Sequence, residues 1–116
     1  MTDIVGGDIK FIRLNDKDLI GRCMEVGFFE GHNVAKAAEL LAGRENGVVL
    51  DIGANMGSFT IPLAFYNPQF DFVCFEPQRM VFNQLCGNLA INGIQNVHTI
   101  NCGLGASEYF IDTQLP

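Results

Sequence analysis

Residues 48–57 read V-V-L-D-I-G-A-N-M-G, and this stretch decides the fold. Its first five residues are an apolar run rich in β-branched side chains that ends in a glycine cluster. Such a run is typical of a strand buried on both faces in a parallel sheet. We predict a tight turn from Gly53 to Gly57, then a helix that begins at Ser58 and ends at Asn67-Pro68.

The same alternation continues downstream of this unit. Residues 70–75 (F-D-F-V-C-F) are a second predicted strand, 78–91 a second helix closed by Asn92-Gly93, and 97–102 a third strand. Strands that alternate with helices over about 55 residues are typical of right-handed crossovers. The sequence therefore predicts an α/β fold with a Rossmann-like parallel sheet, and residues 109–111 are a candidate fourth strand.

Residues 1–46 carry weaker signals, and we assign them to an N-terminal cap that is separate from the Rossmann-like half at 47–116. Residues 8–14 are a candidate short strand. Asn33 is a candidate N-cap for a helix whose apolar residues recur at helical spacing until Gly43. This helix is expected to cover one face of the sheet.

Composition excludes several classes of function. The 116 residues are 48% hydrophobic and 17% charged, with a net charge of −6, which indicates one folded core. The acidic balance argues against nucleic-acid and anionic-membrane partners. The chain has no signal-peptide pattern, no apolar run that could span a bilayer and no C-x-x-C pair. We therefore expect a cytoplasmic protein with reduced thiols and no metal site.

The predicted turn has the chemistry of a ligand site. Gly53 and Gly57 lack a Cβ, and Asn55 is the non-glycine residue type that best tolerates a left-handed conformation. We expect the turn to offer free backbone N–H groups at the carboxyl end of the sheet. Glu76 lies 19 positions after Gly57 at the end of the second strand, where an acid can accept hydrogen bonds from ribose hydroxyls. The pattern favours a nucleoside-bearing cofactor, and a turn without a ligand is the alternative.

Charge narrows the choice of cofactor. A dinucleotide fingerprint requires G-x-G-x-x-G, and this chain has Asn55 and Ser58 in place of the second and third glycines. No Gly-Lys-Ser or Gly-Lys-Thr phosphate loop occurs. Asp51, beside the turn, would repel a pyrophosphate but suits an ammonium or sulfonium group. S-adenosylmethionine carries both cations and a ribose, so we predict it as the cofactor. Half of an NAD-dependent oxidoreductase is the alternative.

These residues also resemble a known family. The stretch 48–57, followed by Phe75-Glu76-Pro77, resembles the first two cofactor motifs of class I S-adenosylmethionine-dependent methyltransferases. The D-I-G-A-N-x-G form and the F-E-P triplet are similar to the FkbM-type methyltransferases. The segments 88–94 (N-L-A-I-N-G-I) and 102–105 (C-G-L-G) also resemble that family, so the resemblance spans about Gly27 to Gly105.

The resemblance implies roles for eight residues. Asp51 would hold the amino end of the methionine moiety, Glu76 would bind the ribose, and no catalytic residue is implied. Backbone of the turn would line the cofactor, and the exit of the third strand would edge the adenine. The residues in these two groups are Gly53, Ala54, Asn55 and Gly57 for the turn, and Cys102 and Gly103 for the adenine.

The resemblance further implies methyl transfer to a hydroxyl oxygen of a sugar or small metabolite. The family's later region, with a motif resembling I-D-V-E-G, does not occur before Pro116. We therefore expect the N-terminal, cofactor-binding part of a longer protein, with its sheet truncated after the third or fourth core strand. Self-association through the exposed sheet edge is expected. A truncated module that binds the cofactor, or nothing, without catalysis is the alternative.

Overall fold

The computed structural model describes residues 2–4, 9–12 and 31–108. Near the N-terminus, strands β1 and β2 pair antiparallel, and from residue 31 onward helices and strands alternate. The elements are β1 (Thr2–Ile4), β2 (Lys10–Ile12), α1 (Gly31–Leu41), β3 (Gly47–Ile52), α2 (Thr60–Tyr66), β4 (Phe70–Phe75), α3 (Arg79–Ile91) and β5 (Val97–Ile100). The candidate strand at 109–111 lies outside the described residues.

Strands β3, β4 and β5 form a parallel sheet in that order. Ile52 pairs with Phe75, and Phe75 pairs with Ile100, so the carboxyl ends of all three strands meet at one edge. Helix α2 connects the first pair of strands and α3 the second. The predicted α/β fold with a Rossmann-like parallel sheet is confirmed.

Several element ends differ from the sequence predictions. Strand β4 has its predicted bounds, but α1 begins at Gly31, so Asn33 lies inside the first turn and the predicted N-cap is wrong. Helix α2 begins at Thr60 rather than Ser58, because Gly57 has a φ of 99° and the next residues still belong to the turn. Strand β5 ends at Ile100 because the Cys102 N–H donates back to the Ile100 carbonyl at 3.0 Å.

Strand β2 covers residues 10–12 of the strand predicted at 8–14, of which residues 8, 13 and 14 lie outside the described residues. It is attached to the end of α3 through Asn92. The Asn92 side chain accepts the Lys10 N–H at 2.8 Å and donates to the Lys10 carbonyl at 2.6 Å. Ile9, which is fully buried, joins the core beside Leu85 and Leu89.

The three helices of the described residues all pack on one face of the sheet. Phe70 and Phe72 of β4 are the largest buried side chains, and Leu63 and Ala64 of α2 pack against them. The half-buried residues of α1 that complete this cluster are Val34, Ala37, Ala38 and Leu41. Their spacing confirms the predicted covering helix.

The other face of the sheet is open among the described residues. Val48, Leu50 and Ile52 of β3 are 65%, 57% and 62% exposed. The prediction of burial on both faces of β3 is therefore wrong, because its alternate residues point away from all three helices. No helix in the described residues is long and apolar enough to cross a membrane.

Candidate functional site

The candidate site lies at the carboxyl edge of the parallel sheet. The turn that begins at Gly53 follows β3, Glu76 follows β4, and Asn101 follows β5. The parallel register places these three strand exits side by side, because Ile52, Phe75 and Ile100 pair across the sheet. The structure thus brings both predicted carboxylates, Asp51 and Glu76, to the same edge.

The turn after β3 requires left-handed backbone at three positions. Gly53 has a φ of 81°, Asn55 of 56° and Gly57 of 99°. Asn55 is the one non-glycine residue with a positive φ among the described residues, and its Oδ1 accepts the Met56 N–H at 2.9 Å. This local hydrogen bond lowers the cost of the left-handed conformation that the sequence predicted for Asn55.

The backbone N–H groups of the turn are engaged within the protein. Gly53 and Ala54 both donate to the Phe75 carbonyl at 2.9 Å, and Gly57 donates to the Ala54 carbonyl at 3.1 Å. Asn55 donates to Oε1 of Glu76 at 2.9 Å. The expectation of free N–H groups is wrong, because the turn folds back onto the end of β4. A phosphate group would find no open donor from residue 53 to residue 57.

The two glycines of the turn have opposite surroundings. A Cβ on Gly53 would meet no atom within 4 Å, so a ligand has room against bare backbone there. A Cβ on Gly57 would lie 2.4 Å from Cδ1 of Ile61 and 2.9 Å from Cδ1 of Leu85. Gly57 is therefore required for close packing of α2 and α3 on the turn. The Ala54 side chain also lies in this core.

Glu76 holds the turn and the start of α3 together. Its side chain is only 6% exposed, Oε1 accepts the Asn55 N–H, and Oε2 accepts the Gln78 N–H at 2.9 Å. A carboxylate oxygen has two lone pairs, so each oxygen has capacity for a second donor such as a ribose hydroxyl. The carboxylate is fixed before any ligand arrives, which lowers the entropy lost on binding.

Asp51 is held from the core side by Thr60. The half-buried carboxylate accepts the Thr60 hydroxyl at 2.6 Å through Oδ2. The Cys74 thiol in turn donates to Oγ1 of Thr60 at 3.4 Å. Burial, partly offset by the hydrogen bond to Thr60, raises the pKa of the Cys74 thiol to about 11, so the sulfur stays protonated at neutral pH. Cys74 is a core residue.

The exit of β5 forms the third side of the edge. Cys102 is half-buried and Gly103 is exposed, and a Cβ on Gly103 would lie 3.7 Å from Cβ of Pro77. The Asn101 side-chain amide donates to the Glu76 carbonyl at 2.8 Å and to the Pro77 carbonyl at 3.2 Å. The backbone that carries Glu76 is thereby tied to the residues predicted to edge an adenine.

Sequence reasoning missed three polar residues that support the site. They are Thr60, Asn101 and Asn88, whose buried side chain donates to the Met56 carbonyl at 2.8 Å. Thr60 bonds the Asp51 side chain across the turn, and Asn101 bonds the backbone of Glu76 and Pro77 just after the neighbouring strand, so neither contact is local in sequence. The contact of Asn88 with the turn spans 32 residues, and no local pattern predicts it.

A second concave region lies at the opposite end of the strands. A cavity of about 480 Å³ is lined in part by Pro68, Asn92 and Asn96, which lie near the amino ends of β4 and β5. It contains neither of the predicted carboxylates. Residues 31–108 and the short N-terminal segments hold no group of three His, Cys, Asp or Glu that could bind a metal ion.

Comparison with known proteins decides the family. Residues 45–114, which are 70 of the 116 residues, match the model of the methyltransferase family Methyltransf_4. The chain belongs to this family. Methyltransferases of this family use S-adenosylmethionine, which confirms the predicted cofactor at family level. The match does not extend to the FkbM type, and it removes support for the NAD-dependent alternative.

Two curated relatives illustrate the similarity. "Methyltransferase sdnD" of Sordaria araneosa is 35% identical over 63 residues, which are 53% of this chain and 24% of the relative. A "tRNA (guanine-N(7)-)-methyltransferase" of Staphylococcus epidermidis is 28% identical over 87 residues, which are 74% of this chain and 40% of the relative. The chain therefore spans between a quarter and two fifths of the length of these relatives.

A solved structure supports the fold. TYW2 of P. horikoshii, crystallised with MeSAdo, superposes with a TM-score of 0.59 and 17% identity. The superposition covers 85% of this chain and 34% of TYW2. At this level of identity the likeness shows a shared fold.

Proposed function

We propose that residues 47–116 form the S-adenosylmethionine-binding half of a class I methyltransferase and that residues 1–46 are its N-terminal cap. One observation carries the proposal: open space over Gly53 lies at the strand edge that carries Asp51 and Glu76, where the turn has no free N–H donor. Two carboxylates and no phosphate donor suit a cationic sulfonium cofactor with a ribose.

The proposed contacts follow from the surroundings of each residue. Glu76 binds the ribose hydroxyls with the free capacity of its two oxygens, and Asp51 faces the ammonium group. Gly53 supplies the surface on which the cofactor lies, with Asn55 at its border. The backbone of Cys102 and Gly103, beside Pro77, lies along one side of the adenine. We assign Ala54 and Gly57 to the packing beneath the turn.

When bound, S-adenosylmethionine supplies an electrophilic methyl group. Asp51, Glu76 and the backbone at Gly53 would hold it at the strand edge, where its methyl group would be available to an acceptor. The residues described here hold and orient one reactant, which is the main catalytic contribution expected of a methyltransferase.

We propose a hydroxyl oxygen of a sugar or small metabolite as the acceptor. The D-I-G-A-N-x-G and F-E-P motifs, which resemble those of FkbM-type enzymes, support this choice. The net charge of −6 also suits a small acceptor better than a polyanion. A cytoplasmic location stays a prediction from the sequence. Self-association through the sheet edge also stays a prediction, and the exposed side chains of β3 support it.

A tRNA base is the second candidate acceptor. The observation that favours it is the similarity to the tRNA methyltransferase of Staphylococcus epidermidis over 74% of this chain. Because residues 1–116 have a net charge of −6, a tRNA backbone would need basic residues outside this chain to contact its phosphates.

Titration calorimetry of the 116-residue chain tests the proposal. We expect S-adenosylmethionine and S-adenosylhomocysteine to bind and NAD not to bind. Binding of NAD without S-adenosylmethionine, or of neither, would contradict the proposed cofactor. A transfer assay with a labelled methyl group, offered to hydroxyl metabolites and to bulk tRNA in parallel, then tests the acceptor. Cofactor binding without transfer to either would favour the binding-only alternative.

A further inference from the structure

We propose that Thr60 is a positioning residue for Asp51. Its buried hydroxyl holds the carboxylate in the orientation that receives the ammonium group of S-adenosylmethionine. This inference rests on the proposed function and extends it to a residue that is fully buried beneath the strand edge.

The geometry of the pair is that of a strong hydrogen bond. The distance from Oγ1 of Thr60 to Oδ2 of Asp51 is 2.6 Å, within the range of charge-assisted O–H···O⁻ bonds. Thr60 is 0% exposed, so water does not compete for its proton. The partners sit on different elements, Asp51 near the end of β3 and Thr60 at the start of α2, so the bond spans the whole turn.

The direction of the bond follows from the other neighbour of Thr60. Cys74 is fully buried, its thiol stays protonated, and its Sγ lies 3.4 Å from Oγ1 of Thr60. Because the thiol donates to the hydroxyl oxygen, the single hydroxyl proton is left to point at Asp51. The chain of donors Cys74, Thr60, Asp51 therefore ends on the carboxylate at the strand edge.

The rest of the Thr60 side chain supports this role. A threonine has restricted χ1 rotation because it is branched at Cβ, and here the residue is packed on all sides. The hydroxyl is thus held at one point relative to the sheet. Since Asp51 belongs to β3, fixing its side chain from α2 sets the carboxylate independently of Glu76, which is held by Asn55 and Gln78.

This arrangement predicts an effect on one part of the cofactor alone. S-adenosylmethionine has an ammonium group for Asp51 and a ribose for Glu76. 5′-Methylthioadenosine keeps the ribose and adenine but lacks the amino-acid moiety. Loss of the Thr60 hydroxyl should weaken binding of the first ligand and spare the second.

Calorimetry with both ligands on the parent chain and on four variants tests the inference: Thr60→Val, Thr60→Ser, Asp51→Asn and the double variant of Asp51→Asn with Thr60→Val. We expect Thr60→Val to weaken S-adenosylmethionine binding about 3- to 10-fold, the scale of one hydrogen bond, with binding of 5′-methylthioadenosine unchanged. Thr60→Ser keeps the hydroxyl and should bind S-adenosylmethionine like the parent. In an Asp51→Asn background, Thr60→Val should have no further effect.

Each other outcome overturns the inference. Equal weakening of both ligands, or an affinity that Thr60→Val keeps and Thr60→Ser loses, would show that packing and not the hydroxyl matters. If Thr60→Val does not fold, Thr60→Ala removes the hydroxyl without adding bulk and is measured in its place. A parent chain that binds neither ligand would contradict the proposed function itself, and a parent that binds both with no effect of Thr60→Val would contradict this inference alone.

Discussion

The turn after β3 combines exposed residues with buried ones, and the two sets have opposite environments. Gly53 and Asn55 are exposed, and the space above Gly53 is open. Ala54, Met56 and Gly57 are buried against α2 and α3. Residues of one short motif therefore have two roles: the exposed ones leave room for a ligand, and the buried ones pack against the helices. Substitutions should separate into those that change stability and those that change binding.

The largest effect is expected on the buried side. Gly57→Ala should lower the free energy of unfolding by about 2–4 kcal/mol, since the new Cβ would crowd Ile61 and Leu85 and φ is left-handed. Urea denaturation measures this change. Gly43→Ala is the matched control, because a Cβ there meets nothing within 4 Å. Equal stability of the two variants would contradict the packing role of Gly57.

Alkaline pH should lower the free energy of unfolding through the buried thiol of Cys74. The pKa of Cys74 rises from 9.0 to about 11, so the folded state favours the neutral thiol. Its contribution to stability is complete below pH 9 and is lost as pH rises through 11, up to about 2.5 kcal/mol. Denaturation at pH 8 to 11 measures the loss. In Cys74→Ala this component should disappear, and an unchanged pH dependence would contradict burial of the thiol.

Substitution of Glu76, at the proposed ligand site, should lower the affinity for S-adenosylmethionine. Glu76→Ala should weaken the binding of S-adenosylmethionine by about 2 kcal/mol, or about 30-fold in the dissociation constant, because hydrogen bonds from the ribose to a charged acceptor are lost. It should also lower stability, since the Asn55 and Gln78 N–H groups lose their acceptor. Calorimetry on the folded variant isolates the binding change. Glu39→Ala, on the exposed surface of α1, is the control, and equal affinities would contradict the ribose assignment.

The smallest effect on stability is expected at the open glycine. Gly53→Ala should cost about 1–2 kcal/mol of stability, from its left-handed φ alone, because no atom lies near the new Cβ. Its affinity for S-adenosylmethionine should fall, since the methyl group would occupy cofactor space. Thermal unfolding and calorimetry on the same sample measure both quantities. A variant that binds like the parent would show that the cofactor does not lie on Gly53.

Much of the sheet could be predicted from the sequence because its signals are local. The bounds of β4, the end of α3 at Asn92 and the left-handed Asn55 all follow from short patterns of apolar, glycine and asparagine residues. Which face of β3 the helices cover could not be predicted. Val48, Leu50 and Ile52 on the open face are more apolar than Gly47, Val49 and Asp51 on the covered face, so side-chain hydropathy alone points to the wrong face.

The details of the site depended on contacts between strands. The N–H groups of Gly53 and Ala54 are engaged because the register of β3 against β4 brings the Phe75 carbonyl beneath them. The hydrogen bond from Thr60 to Asp51 likewise depends on how α2 returns over the sheet. Residue types and spacing place both carboxylates at one edge, but they do not show which side chains hold them there.

Backbone amide chemical shifts of the labelled chain, followed during titration with S-adenosylmethionine, test whether the cofactor binds at the carboxyl edge of the sheet. We expect the resonances of Gly53, Asn55 and Gly103 to move together and to saturate with one dissociation constant. Gly93, beside the cavity at the opposite end of the strands, should stay in place. Shifts that cluster around Gly93 and leave Gly53 unmoved would contradict binding at the carboxyl edge.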